Sequence, residues 1–100
     1  MDRVKALNLC EEYLHQIWCM ESMKNDGFFA LYGLEQHRIV VHNSLCDLLG
    51  IDHEKSKTIL SYLDEKIGFN FSKMPGKSDL KYYAEKLLSL LLEEKEKGNI

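Results

Sequence analysis

Proline occurs once in this chain of 100 residues, at Pro75, and there is no internal repeat, no low-complexity linker and no block of like charge. Those absences argue against disorder, and nothing in them suggests a repeat architecture or a second domain. Cysteine occurs at Cys10, Cys19 and Cys46, an odd number without a C-x-x-C pair, so no disulfide framework is expected. Thiols set among apolar helical positions fit a reducing compartment, and a cytoplasmic location is expected. No apolar run approaches the roughly 18 residues of a spanning helix, and Met1-Asp2-Arg3-Val4-Lys5 lacks the apolar centre of a secretory leader. No membrane partner is therefore expected. With 13 basic and 16 acidic residues the formal net charge is -3, so the molecule as a whole has no electrostatic reason to bind nucleic acid.

What is present is helical periodicity. Asp2 is placed to cap a first helix whose apolar positions Val4, Leu7, Cys10, Leu14, Ile17 and Trp18 share one face, and Lys24-Asn25-Asp26-Gly27 ends it. Phe28, Phe29, Leu31 and Tyr32 form an aromatic cluster. It either opens a second helix, with Asp26 as cap, or makes a connector around Gly33. Leu34, Val41, Leu45, Leu48 and Leu49 recur at helical spacing, Gly50 supplies a stop and Asp52 a new N-cap, and Ile59, Leu63 and Ile67 resume the stripe before Gly68. The pattern predicts a helical hairpin over 34–68, its later helix running from about His53 to Ile67.

After a break from Phe69 to Lys77, Ser78 or Asp79 is placed to cap the last helix. Its apolar residues, among them Leu80, Tyr83, Leu87, Leu88, Leu91 and Leu92, occupy more than the roughly 100° stripe that one core requires. That width predicts a second buried face, and so a homodimer or a partner groove. The expected fold is all-α: a compact bundle of about four helices, one domain over 1–100.

Polar residues on apolar faces are the places to look for chemistry. Glu11 and Glu21 fall on the seam of the first helix and Arg38 on that of the second, so facing seams predict a buried charge pair, Arg38 with Glu21 or Glu11; seam drift would place them at a wet edge instead. His15 with Cys19 and His42 with Cys46 each stand four apart, and two such pairs face to face would supply the ligands of a tetrahedral zinc site, against ordinary core packing as the alternative. Gly76-Lys77-Ser78 precedes a helix N-terminus, where free N–H groups favour an anion. It is no Walker loop, since Phe71 stands where the first glycine belongs. Lys73 and Lys77 with Phe69 and Phe71 make a small basic and aromatic loop. Adjacent Asp64 and Glu65 diverge on a helix, His37 and Glu35 form no H-E-x-x-H pattern, and no catalytic triad order exists, so neither an enzyme nor a cofactor is expected.

Residues His42 to Ser61 resemble a helix-turn-helix DNA-binding unit. Leu45 and Leu49 match the buried positions of its first helix, Cys46 the small crossing position, Gly50 the turn glycine, and Ile51 and Ile59 the core residues that follow. Leu63, Gly68 and the Phe69 to Lys77 loop are similar to the end of a recognition helix and a wing. The resemblance covers about a fifth of the chain. It implies duplex DNA as partner, with His53, Lys55, Lys57, Thr58, Ser61, Lys73 and Lys77 as contact residues. The sequence departs from the pattern at Ser56, where that family buries an aliphatic residue, and at Asp52-His53-Glu54, which puts acids where phosphates would be met.

The leading expectation is a non-enzymatic regulator or adaptor that binds protein, itself included, through apolar helix faces bearing Trp18, Phe28, Phe29, Tyr32, Tyr82, Tyr83, Leu88 and Leu92.

Overall fold

Asp2 opens the first helix, α1 (Arg3–Ser22), as its spacing predicts: the carboxylate accepts the Lys5 N–H at 3.1 Å, one of the four donors a helix start leaves open. The structure, a computed structural model, describes residues 1–22, 28–69 and 76–100, with the backbone alone at 28–31 and 64. The expected cap Asp26, the stop at 24–27, and Phe71, Lys73 and Pro75 lie outside the described residues. Among those described every regular element is an α-helix, so the chain is all-α.

The second helix, α2 (Phe28–Leu49), starts at Phe28 and runs through Gly33 without a break, so the aromatic segment opens a helix and is not a connector. Gly50 ends it with φ +69°, and the Ile51 N–H donates to the Cys46 carbonyl at 3.0 Å in a left-handed helix stop. Ile51 is buried, and Asp52, in extended conformation, accepts the Lys55 N–H at 2.8 Å to open α3 (His53–Leu60). A contact that periodicity does not announce secures this turn: Lys95 Nζ donates to the Leu49 carbonyl at 2.7 Å. A Cβ at Gly50 would lie 3.5 Å from that ammonium in a backbone region that L-residues avoid. Gly50→Ala is therefore expected to cost about 1 to 2 kcal/mol, read as a lower urea midpoint at unchanged slope.

The helix expected from about His53 to Ile67 is two helices, α3 and α4 (Leu63–Ile67). The Ser61 hydroxyl donates back to the Thr58 carbonyl at 2.8 Å, and the Tyr62 N–H reaches only to Ile59, so side-chain bonding competes with the helical ladder there. Leu60, Leu63, Ile67 and Phe69 are nonetheless all buried.

The last helix, α5 (Lys77–Glu96), is capped by Gly76, not by Ser78 or Asp79. Asp79 sits three residues in and its carboxylate accepts the Gly76 N–H at 3.2 Å. At its other end Gly98, with φ +77°, lets the Asn99 N–H reach the Glu94 carbonyl at 3.0 Å.

α1 is the central helix, packed against α2 on one side and α5 on another, while α5 also meets α4. That double contact covers part of the wide apolar arc on α5. Leu87, Leu88 and Leu91 are wholly buried within one chain, whereas Leu80, Tyr83, Leu90 and Leu92 are only partly buried. No described helix is long and apolar enough to cross a membrane.

Candidate functional site

The antiparallel register of the central pair decides where apolar surface is left over. His37 Nε2 meets Glu12 Oε1 at 2.9 Å, and Tyr13 lies beside both Arg38 and His42. On the other side of α1, Arg3 Nη2 meets Glu85 Oε2 at 2.6 Å, and Leu80 shares a groove with Asn8 and His15. α5 therefore reaches its first turns near the middle of α1. The far half of α1 has α2 as its principal neighbour among the described residues.

Burial follows that geometry. The buried stripe of α1 stops at Gln16, and the buried residues described in α2 start at Val41. Ile17 continues the phase of Cys10 and Tyr13, and Leu34 that of Val41, yet both are only partly buried. Trp18 and Met20 are partly buried as well, and Tyr32 is 54% exposed. Neither the Trp18 indole N–H nor Gln16 Oε1 has a hydrogen-bond partner among the described residues. Among the described residues the apolar stripe thus continues beyond the fully buried part of the pair.

The expected partner-binding residues separate accordingly. Trp18 and Tyr32 lie on this distal end of the α1–α2 pair, and Phe28 and Phe29 start α2 there, their side chains outside the description. Tyr82 is 56% exposed on α5, with Lys86 Nζ 4.7 Å above its ring. Tyr83 is partly buried edge-on against Phe69, and Leu92 is partly buried. Leu88 is no surface residue at all: it has no exposed area, because it faces the core between α5 and α1.

The buried Glu21–Arg38 pair is not found. Arg38 lies level with Glu12 and Tyr13, so Glu21 sits about 12 Å further along α1 by the helix rise. Glu21 is exposed, whereas Arg38 is partly buried beside the Tyr13 phenol and 3.9 Å from Glu35. Burial raises the Tyr13 phenol, and the guanidinium works against that rise. Glu11 instead lines an outer groove of about 220 Å³ with Val4, Leu7 and Lys81.

The two His–Cys pairs do not meet. His15 and Cys19, 3.8 Å apart, lie toward the outer side of α1, whereas His42 and Cys46 point into the α2–α3 crossing. Among the described residues no three metal-ligating groups converge. Burial pushes the Cys10 thiol up to about 12 and raises Cys19 and Cys46 too, which keeps all three thiols protonated and unsuited to attack.

The polar cluster at the crossing escaped the sequence reading, although Ser56 marked it by standing where an aliphatic residue belongs. Ser56 is fully buried, and His42 Nε2 lies 2.9 Å and Cys46 Sγ 3.2 Å from its oxygen. Asn43 Oδ1 faces His42 Nδ1 at 3.1 Å, and Ser56 Oγ is 3.0 Å from the His53 carbonyl. A hairpin core that is normally greasy is here tied by hydrogen bonds.

Outward, α3 presents Lys55, Lys57, Thr58 and Ser61, all exposed, and His53 at the edge. Its charge is mixed. Lys57 is paired with Glu54 at 3.1 Å and His53 with Asp47 at 2.7 Å, and Asp52 caps the helix. Most of the expected wing, Lys73 included, lies outside the described residues. At the Gly76-Lys77-Ser78 turn the Asp79 carboxylate already occupies the helix N-terminus, which opposes a bound anion. Compared with family models, curated proteins and solved structures, the chain matches none.

Proposed function

We propose that this protein is a small non-enzymatic binding module, a regulator or adaptor, whose docking surface is the distal end of the α1–α2 pair. The observation that carries the reading is the continuation of the α1 and α2 stripes through Ile17, Trp18, Met20 and Leu34 beyond their full burial. Aromatic residues such as Trp18 and Tyr32, gathered at one end of a helical pair, are what a protein interface uses. The partner is a protein, and a second copy of this chain is the first to test, now through α1–α2 and not through α5. Three free cysteines, two of them buried, suit work in the reducing cytoplasm.

Sedimentation across a wide concentration range, followed by amide-exchange footprinting of any complex, tests this reading. Protection is expected over residues 17–22 and 32–40. A footprint on α3 or on the outer face of α5, with 17–40 unchanged, would sink it.

DNA binding through α3 is the second reading, and one observation supports it: the Gly50-Ile51-Asp52 turn joins α2 to α3, with Lys55, Lys57, Thr58 and Ser61 exposed. The acids paired with Lys57 and His53 weigh against it. A salt titration separates the two. Phosphate contacts make affinity fall steeply with ionic strength, and Lys55→Ala with Lys57→Ala would then reduce both affinity and salt slope.

A further inference from the structure

α1 carries a two-ligand clip on its outer side. His15 and Cys19 stand one turn apart, with His15 Nε2 3.8 Å from Cys19 Sγ. Nine residues carry a helix through about two and a half turns, so Cys19 points away from the buried Cys10. Both members of the pair are partly exposed. The matching pair on α2 differs in the respect that matters: His42 is 1% exposed, and Ser56 Oγ lies 2.9 Å from its Nε2 and 3.2 Å from Cys46 Sγ. One pair is closed by its own chain, and the other is open to solvent.

The spacing suits zinc. Bonds of about 2.3 Å to sulfur and about 2.0 to 2.1 Å to nitrogen set the two ligand atoms about 3.5 to 3.6 Å apart at a tetrahedral angle. A shift of about 0.3 Å in one side chain closes the difference from the present separation, and the metal takes the place of the thiol hydrogen. Glu11 and Glu12 border the same groove of about 400 Å³ as His15, Glu12 being paired with His37 at 2.9 Å. A carboxylate beside a ligating histidine orients it by accepting its other N–H.

Two ligands fill half of the four positions that zinc offers. Among the described residues no third metal-ligating group converges on the pair. A second copy supplies the rest, because a two-fold axis through the metal brings an identical histidine and cysteine and completes a tetrahedral set of two nitrogens and two sulfurs. We propose that His15 and Cys19 form half of an intermolecular zinc site, and that one zinc ion joins two copies of this chain through the outer face of α1.

Binding converts one hydrated Zn²⁺ and two thiols into a neutral centre of two imidazoles and two thiolates, with release of two protons; no oxidant or reductant takes part. Burial, and after it Glu12, holds the Cys19 thiol above its ordinary value, so the metal displaces a proton at neutral pH. Uptake therefore falls by up to about a hundredfold for each unit of pH below neutral.

The untagged full chain, reduced with a phosphine, tests the bridge by sedimentation equilibrium with zinc and by absorption with cobalt(II) as the coloured substitute. Half an equivalent of zinc is expected to double the sedimenting mass. Cobalt should give the intense visible bands of a tetrahedral site and a thiolate charge-transfer band, both saturating at one metal per two chains, and a chelator should reverse them. Cys19→Ser and His15→Ala should each abolish the metal-driven dimer, while His37→Gln, at an exposed neighbour of Glu12, should leave it in place. Absence of metal uptake, saturation at one metal per monomer, or an unchanged metal-driven dimer in Cys19→Ser would each overturn the proposal. The charge-transfer band and the stoichiometry are read in the wild-type chain, so they decide even where a variant misfolds. The bridge rests on the reading of a second copy as partner, yet it fails separately: association that persists in chelator, protected over 17–22 and 32–40 and indifferent to zinc, refutes the bridge and leaves the docking surface standing.

Discussion

Leu88→Ala is expected to lower stability by about 3 to 5 kcal/mol, and to do so in the isolated chain. Leu88 has no exposed area and packs with Leu87 and Leu91 into the core that α5 shares with α1 and α4. Removing three carbons there forfeits their transfer free energy and leaves a cavity that neighbouring helices cannot close. Against a total stability of about 5 to 15 kcal/mol for a small domain, that is a large share. Tyr82, 56% exposed on the same helix, supplies the contrast: Tyr82→Ala should change stability by less than about 1 kcal/mol. Urea titration of the two variants reads the difference directly. If Leu88 belonged to a dimer seam, its alanine variant would leave a stable monomer and stop association, the reverse of the expected result.

The sequence was most legible where one residue type has one structural use. Gly50 and Asp52 mark a left-handed stop and a new cap, and both occur where the spacing placed them. Asp2 does the same for α1. Legibility failed where the answer depends on which neighbour arrives. The apolar arc of α5 reads alike whether a second chain or α4 covers its flank, and α4 covers part of it. Arg38 and Glu21 lie on facing seams, but a seam does not state its register; Glu12 and His37 set that register and leave Glu21 too far along the helix. The break at Ser61 was hidden because its cause is a side-chain bond to the Thr58 carbonyl inside a sound apolar stripe. Ser56 carried the signal of the buried cluster, as a polar residue at a greasy position. What the chain did not reveal was that His42, one helix earlier, would answer it.

Tyr32→Ala is expected to weaken partner binding by about 2 kcal/mol, close to thirtyfold, while leaving the melting temperature nearly unchanged. At 54% exposure its ring is more open to solvent than the Trp18 indole, so its truncation is the milder perturbation of the fold. Trp18→Ala should have the larger effect on binding but is harder to read. The indole is partly buried against the core, so truncation also destabilises the monomer. The two variants together resolve the ambiguity, because a true docking surface loses affinity in both whereas a stability effect appears only in Trp18→Ala. Salt dependence adds an independent check. An interface built on Ile17, Trp18, Tyr32 and Leu34 buries apolar surface, and its affinity should barely respond to ionic strength, unlike a complex that replaces counterions on a phosphate backbone. Calorimetry should show a negative heat-capacity change of binding that shrinks in Tyr32→Ala. Wild-type affinity in the Tyr32→Ala chain would place the docking surface elsewhere, and the exposed face of α3 would then become the better candidate.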